Sequence, residues 1–102
     1  MKIYNVSYKA YQQYKLNTRG NKNVGRKLAQ IKLSRNIELA TVYAENESNV
    51  IYQYGQLYIG VLKSLDLIVD VHQELVPSPS PIDSFRKATL NREYGINVGG
   101  ER

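Results

Sequence analysis

The residue types that carry most reaction chemistry are thin in this sequence. His72 is the single histidine and Cys is absent, which removes thiolate nucleophiles, disulfides and Cys-based metal sites together. A metal centre needs three or four ligands. One His with no second His and no carboxylate cluster reads instead as a partly buried, hydrogen-bonded side chain. Asp66 and Asp70 stand four apart and on a helix would share a face. Acid–base work would require one of them to have a raised pKa, and their polar neighbours point to a solvated surface. No serine sits in a nucleophile elbow or beside an oriented base. Gly99-Gly100 has no helix behind it to cradle a phosphate. The expectation is a non-enzymatic protein with no metal and no cofactor.

Tyrosine and the cations carry more information. The chain holds nine Tyr, one Phe and no Trp. Tyr joins a large apolar ring to a polar tip and is enriched at interfaces. Tyr4, Tyr8, Tyr11, Tyr52, Tyr54 and Tyr58 are therefore the candidate partner-binding residues, for a protein or peptide lying along a Tyr-lined groove. The same rings can equally be the core of a small domain short of Phe and Leu. The net charge of +5 is unevenly spread, because residues 1–36 contain nine Lys and Arg and no acid, while residues 37–102 contain five bases and nine acids. A basic nucleic-acid-binding accessory protein is the alternative. Its candidate residues are Lys9, Lys15, Arg19, Lys22, Arg26 and Lys27, with rings stacking on bases and cations on phosphates. Neither an RNP signature nor a zinc-finger spacing accompanies them.

The elements that must position these residues begin with a repeat. Asn5-Val6-x-Tyr8-x-x-x-Gln12-x-Tyr14 recurs as Asn49-Val50-x-Tyr52-x-x-x-Gln56-x-Tyr58, which suggests two related units over about 4–44 and 48–99. Residues 47–76 carry Val50, Tyr54, Leu57, Tyr58, Val61, Leu65, Ile68, His72 and Leu75 at three- and four-residue steps, predicting one long amphipathic helix. By analogy residues 4–17 read as a shorter helix, although Ile3–Tyr8 also permits a strand. Residues 17–23 are loop by composition. Asn23 can cap a following helix, and Asn36 can end it in the left-handed conformation. Ile37–Leu39 and Thr41–Tyr43 then read as strand. Pro77, Pro79 and Pro81 predict an extended connection. Asp83 or Ser84 can cap a last helix ended by Gly95, with Ile96-Asn97-Val98 as the matching strand.

The whole is expected to be one helix-rich α+β domain spanning 1–102. In it, two helix–loop–helix–short strand units pack about a pseudo-twofold, with the Tyr groove at their seam. The alternation in Gln30-Ile31-Lys32-Leu33 supports another arrangement, with β-hairpins at 28–43 and 88–98. No apolar run is long enough to span a bilayer, and Met1-Lys2-Ile3-Tyr4 does not open a signal peptide. A soluble intracellular protein, monomeric or homodimeric, is expected.

Tyr8-Lys9-Ala10-Tyr11-Gln12-Gln13-Tyr14-Lys15-Leu16-Asn17-Thr18 resembles the opening of bacterial flagellin export chaperones, and departs from it at Arg19-Gly20-Asn21-Lys22. Taken whole, with its Lys/Asn/Tyr bias, paired NVxYxxxQxY segments and lack of Cys, the chain resembles small orphan proteins of archaeal filamentous viruses of the Acidianus type. That resemblance implies the host-cell cytoplasm or the virion, and assigns no functional residue.

Overall fold

The computed structural model describes residues 2–75 and 81–96. Its element order is β1 (Asn5–Val6), α1 (Tyr8–Asn17), α2 (Arg26–Leu39), β2 (Thr41–Glu45), β3 (Asn49–Tyr54), β4 (Leu57–Leu62), β5 (Leu67–Gln73) and α3 (Ser84–Tyr94). The five strands form one sheet in the order β1-β5-β4-β3-β2. β1 runs parallel to β5, and the other pairs are antiparallel. The fold is thus α+β, with a sheet larger than the expected helix-rich arrangement contains.

The long helix predicted over 47–76 is three strands. Gly55 has φ +61 and Gln56 does not take a positive φ, the pattern of a type II′ hairpin turn, which demands glycine at its first central position. Tyr54 therefore pairs with Leu57 and Val50 with Val61. Asp66, at φ 45, closes a short 3-10 turn before β5. His72 and Asp70 thus lie on β5, and Asp66 lies in the turn ahead of it. The two carboxylates share no helix face.

The repeated decapeptides adopt different structures. In the first, Ser7 accepts a hydrogen bond from Ala10 N–H and caps α1. The equivalent position in the second is Ile51, in the middle of β3. The position matching Tyr11 is Gly55, at the hairpin turn. The segments are therefore not twin helices about a seam. The alternative hairpins at 28–43 and 88–98 are replaced by α2 and α3 over most of their length. α2 runs through Asn36 to Leu39, so Ile37–Leu39 is helical, and its N-cap is Gly25 without a side-chain bond. Asn36 does not cap, because it is wholly buried and its Oδ1 accepts from Arg35. Thr41–Tyr43 is strand as read, Asp83 caps α3, and Gly95 ends it in the left-handed conformation. The proposed strand at 96–98 falls mostly outside the described residues, as does most of the proline connection.

α1 and α2 pack on one face of the sheet. Ala10, Tyr14, Ala29 and Leu33 meet Val50, Tyr54, Leu57, Ile59, Val61, Ile68 and Val71 in the main core. A smaller cluster of Leu90, Tyr94 and Ile96 joins α3 to Ile31 and Leu39. One sheet edge is closed by side chains. Ser34, Gln30 and Arg26, one turn apart on α2, bond Tyr4 N–H, Tyr4 C=O and Val6 C=O at 2.9, 2.8 and 2.8 Å. Further along, Gln13 accepts from Val71 N–H at 2.9 Å where β1 has ended. This satisfies backbone groups that would otherwise attract another strand.

Candidate nucleic-acid interface

Ser7 fixes where α1 begins, and that start sets the exposed face. With the helix in register from Tyr8, residues Tyr8, Tyr11 and Lys15 fall along one side. Tyr8 is 66% exposed. Its ring meets Tyr11 edge-on at 6.4 Å between centroids. Arg26, the first residue of α2, holds its guanidinium 5.8 Å from the Tyr8 ring centre and 5.5 Å from that of Tyr11. Lys15 lies 5.1 Å from the Tyr11 ring. Arg26 is held in place by its bond to Val6 C=O, and Tyr11 by donating to Val24 C=O at 2.7 Å. The result is a preorganised stack of rings and cations with one ring left open.

Lys9, Arg19, Lys22 and Lys27 are exposed, on α1, on the loop after it and on the first turn of α2. None of the six candidate cations makes an ion pair among the described residues. Arg26 and Lys27 line a cavity of about 400 Å³ with Asn5, Val6 and Gln30. Lys22 lines another of about 390 Å³ beside Gly20 and Leu28. Cations in the first turn of α2 oppose the helix dipole, an arrangement that an anionic partner relieves.

The six candidate tyrosines separate into four places. Tyr8 and Tyr11 belong to the stack just described. Tyr4 and Tyr52 line a cleft of about 250 Å³ with Ile37, Glu38, Tyr94 and Lys2. Tyr54 and Tyr58 are buried, at 1% and 3% exposure, on opposite faces of the β3–β4 hairpin. Tyr58 stacks on His72 at 5.4 Å and takes Tyr43 edge-on at 4.9 Å. Burial works to raise the Asp70 pKa, but hydrogen bonds from Gln13 and His72, with Lys9 nearby, hold it below its usual value. His72 lies between Asp70 at 2.7 Å and Glu74 at 3.4 Å. No group of three or more such side chains among the described residues could hold a metal. No helix among them is long and apolar enough to cross a membrane.

Sequence reasoning missed Lys2, Glu38 and Tyr94 as cleft residues, since no local spacing joins positions 36 and 56 residues apart. The spacing of Val24, Leu28, Ile31 and Arg35 places Arg35 on the inward helix face but does not identify its partners: it is 1% exposed and, among the described residues, bonds the Oδ1 atoms of Asn36 and Asn91.

The YorE family model matches residues 4–93. The chain belongs to the YorE family. The match runs from Tyr4 to the last turn of α3, so the basic stack and the sheet lie within the YorE region, while Lys2 and Tyr94 of the cleft fall just outside it. The family name carries no activity or partner, and gives no link to archaeal filamentous viruses. No curated protein and no solved structure matches this YorE chain.

Proposed function

We propose that this chain is a non-enzymatic binding protein whose partner is a polyanion, with single-stranded nucleic acid fitting the site best. The observation that carries the reading is the Tyr8–Tyr11–Arg26 stack. One ring is open for a base to stack on, and the candidate cations make no ion pair among the described residues. Stacking of a base on an aromatic ring is worth about 1–3 kcal/mol, and every base offers a face, so sequence preference would be weak. Lys9, Lys15, Arg19, Lys22 and Lys27 supply the phosphate contacts. A place in the host cytoplasm or the virion, as the viral resemblance implies, belongs to the same proposal.

The test is binding of a labelled single-stranded oligonucleotide followed by anisotropy across salt concentrations. Affinity should fall steeply with salt, and Tyr8→Ala should weaken it roughly 5- to 100-fold, the equivalent of one lost stack. Binding that ignores both salt and Tyr8→Ala contradicts the proposal.

A protein or peptide partner is the second reading, and β2 favours it. The β1 edge is closed by α2, whereas all five residues of β2 are exposed, with Val42 at 55% and Tyr43 at 59%. An extended segment of a partner or of a second copy would add there. This reading predicts that Tyr43→Lys abolishes capture while Tyr8→Ala leaves it intact.

A further inference from the structure

The cleft between α2, β3 and the end of α3 is separate from the basic stack and has the opposite chemistry. Its walls are Tyr4, Tyr52, Tyr94 and Ile37, and its acidic group is Glu38. Tyr4 and Tyr94 are buried. Burial pushes the phenols of Tyr52 and Tyr94 up to about 12; phenols are already neutral near pH 7, and neutral rings have electron-rich faces. The Tyr94 hydroxyl reaches Glu38 Oε2 at 3.4 Å and Lys2 C=O at 3.3 Å, which fixes ring and carboxylate relative to each other.

Two further observations point to what the cleft takes. Glu38 makes no ion pair among the described residues. Lys2 already places an ammonium group 4.7 Å from the centre of the Tyr4 ring. Its charge is matched by Asp66 at 2.9 Å, so the Glu38 carboxylate remains the uncompensated charge of the cleft. Aromatic rings with a carboxylate beside them attract alkylammonium ions, because the cation meets ring quadrupoles and is neutralised without full hydration. Inorganic cations lose more hydration than such a site returns, and anions are repelled by Glu38.

We propose that this cleft binds an alkylammonium head group, held by Tyr4, Tyr52 and Tyr94 and neutralised by Glu38. The group can belong to a free quaternary amine or to a methylated lysine side chain of another protein. The affinity of such a three-ring site falls in the millimolar range.

Choline chloride titrated into the full chain, read by amide and tyrosine-ring NMR shifts, tests this. The neutral isostere 3,3-dimethylbutan-1-ol serves as control. Choline should produce saturable shifts confined to Tyr4, Ile37, Glu38, Tyr52 and Tyr94, and the isostere should bind roughly tenfold more weakly. Glu38 is exposed, so Glu38→Gln keeps the fold, which the unperturbed spectrum verifies, and should weaken choline about fivefold. Tyr52→Phe, which keeps the ring, should retain binding. A trimethyllysine peptide that binds more tightly than choline identifies a protein side chain as the source, and equal affinity identifies a free amine. Equal binding of the isostere, an unaffected Glu38→Gln variant, or no saturable shift at millimolar choline overturns the proposal.

Discussion

Arg35 shows most directly how single residues bind this fold together. Its guanidinium is buried, and burial lowers its pKa against the opposing influence of Tyr54 and Tyr14. No carboxylate lies within ion-pair distance among the described residues. The charge is carried instead by Asn36 Oδ1 and by Asn91 Oδ1 at 2.7 Å. Asn91→Ala should therefore destabilise the protein by about 2–3 kcal/mol, the range for a lost hydrogen bond to a buried charge, measurable by urea unfolding. Tyr52 and Tyr94 give a second residue-level prediction. The folded chain holds their protons more tightly than the unfolded chain, whose phenols titrate near ~10. Their contribution is whole below pH ~10 and is lost as pH rises through about 12. Phenolate absorbance should show these two tyrosines titrating at about 12. Glu38→Gln should lower the Tyr94 value and leave that of Tyr52 unchanged, since Glu38 acts on Tyr94 alone of the two.

At the scale of elements, the hairpin turn decides more than the residues around it. Gly55 at φ +61 has Ile82 Cδ1 3.3 Å from where a Cβ would sit. Gly55→Ala should cost about 1–2 kcal/mol from backbone strain alone, lowering the thermal midpoint, whereas an alanine at exposed Gly25 meets nothing within 4 Å and should change little. The same glycine explains how the repeat misled. The five shared letters of the decapeptides occur in both a helix and a hairpin, and the unshared ones choose between them. Ser7 caps a helix where Ile51 extends a strand, and Tyr11 continues a helix where Gly55 turns the chain. The apolar period over 47–76 imitated a helix because Tyr58 is buried on the face opposite Leu57 and Ile59, which blurs the strand alternation. Ile51, Ile59, Val61, Ile68, Val69 and Val71 were the overlooked signal, since β-branched residues favour strands. Where chemistry is local, as in the Asp83 cap and the Gly95 terminus, the sequence was sufficient. The cleft was not legible, because its residues meet only after α2, β3 and α3 have packed.

Across the whole molecule, the charge division seen in the sequence becomes a division of surfaces. The acid-free residues 1–36 build β1, α1 and most of α2, and so place the basic stack on one side of the sheet's helix layer. The acidic remainder builds the other four strands and α3. That arrangement separates the basic stack proposed to meet a polyanion from the cleft proposed for ammonium groups and from the exposed β2 edge. The β1 edge, closed by Arg26, Gln30 and Ser34, leaves Arg26 with two tasks: it seals β1 and presents its guanidinium to Tyr8 and Tyr11. Arg26→Lys would keep the charge but lose the planar fork that makes both contacts. The most direct measurement of the account is the anisotropy of a labelled single-stranded oligonucleotide titrated with the wild-type chain and with Tyr8→Ala at two salt concentrations. Salt-sensitive binding that Tyr8→Ala weakens roughly 5- to 100-fold is the expected result. Absence of binding at low salt, or equal binding by both proteins, would contradict it.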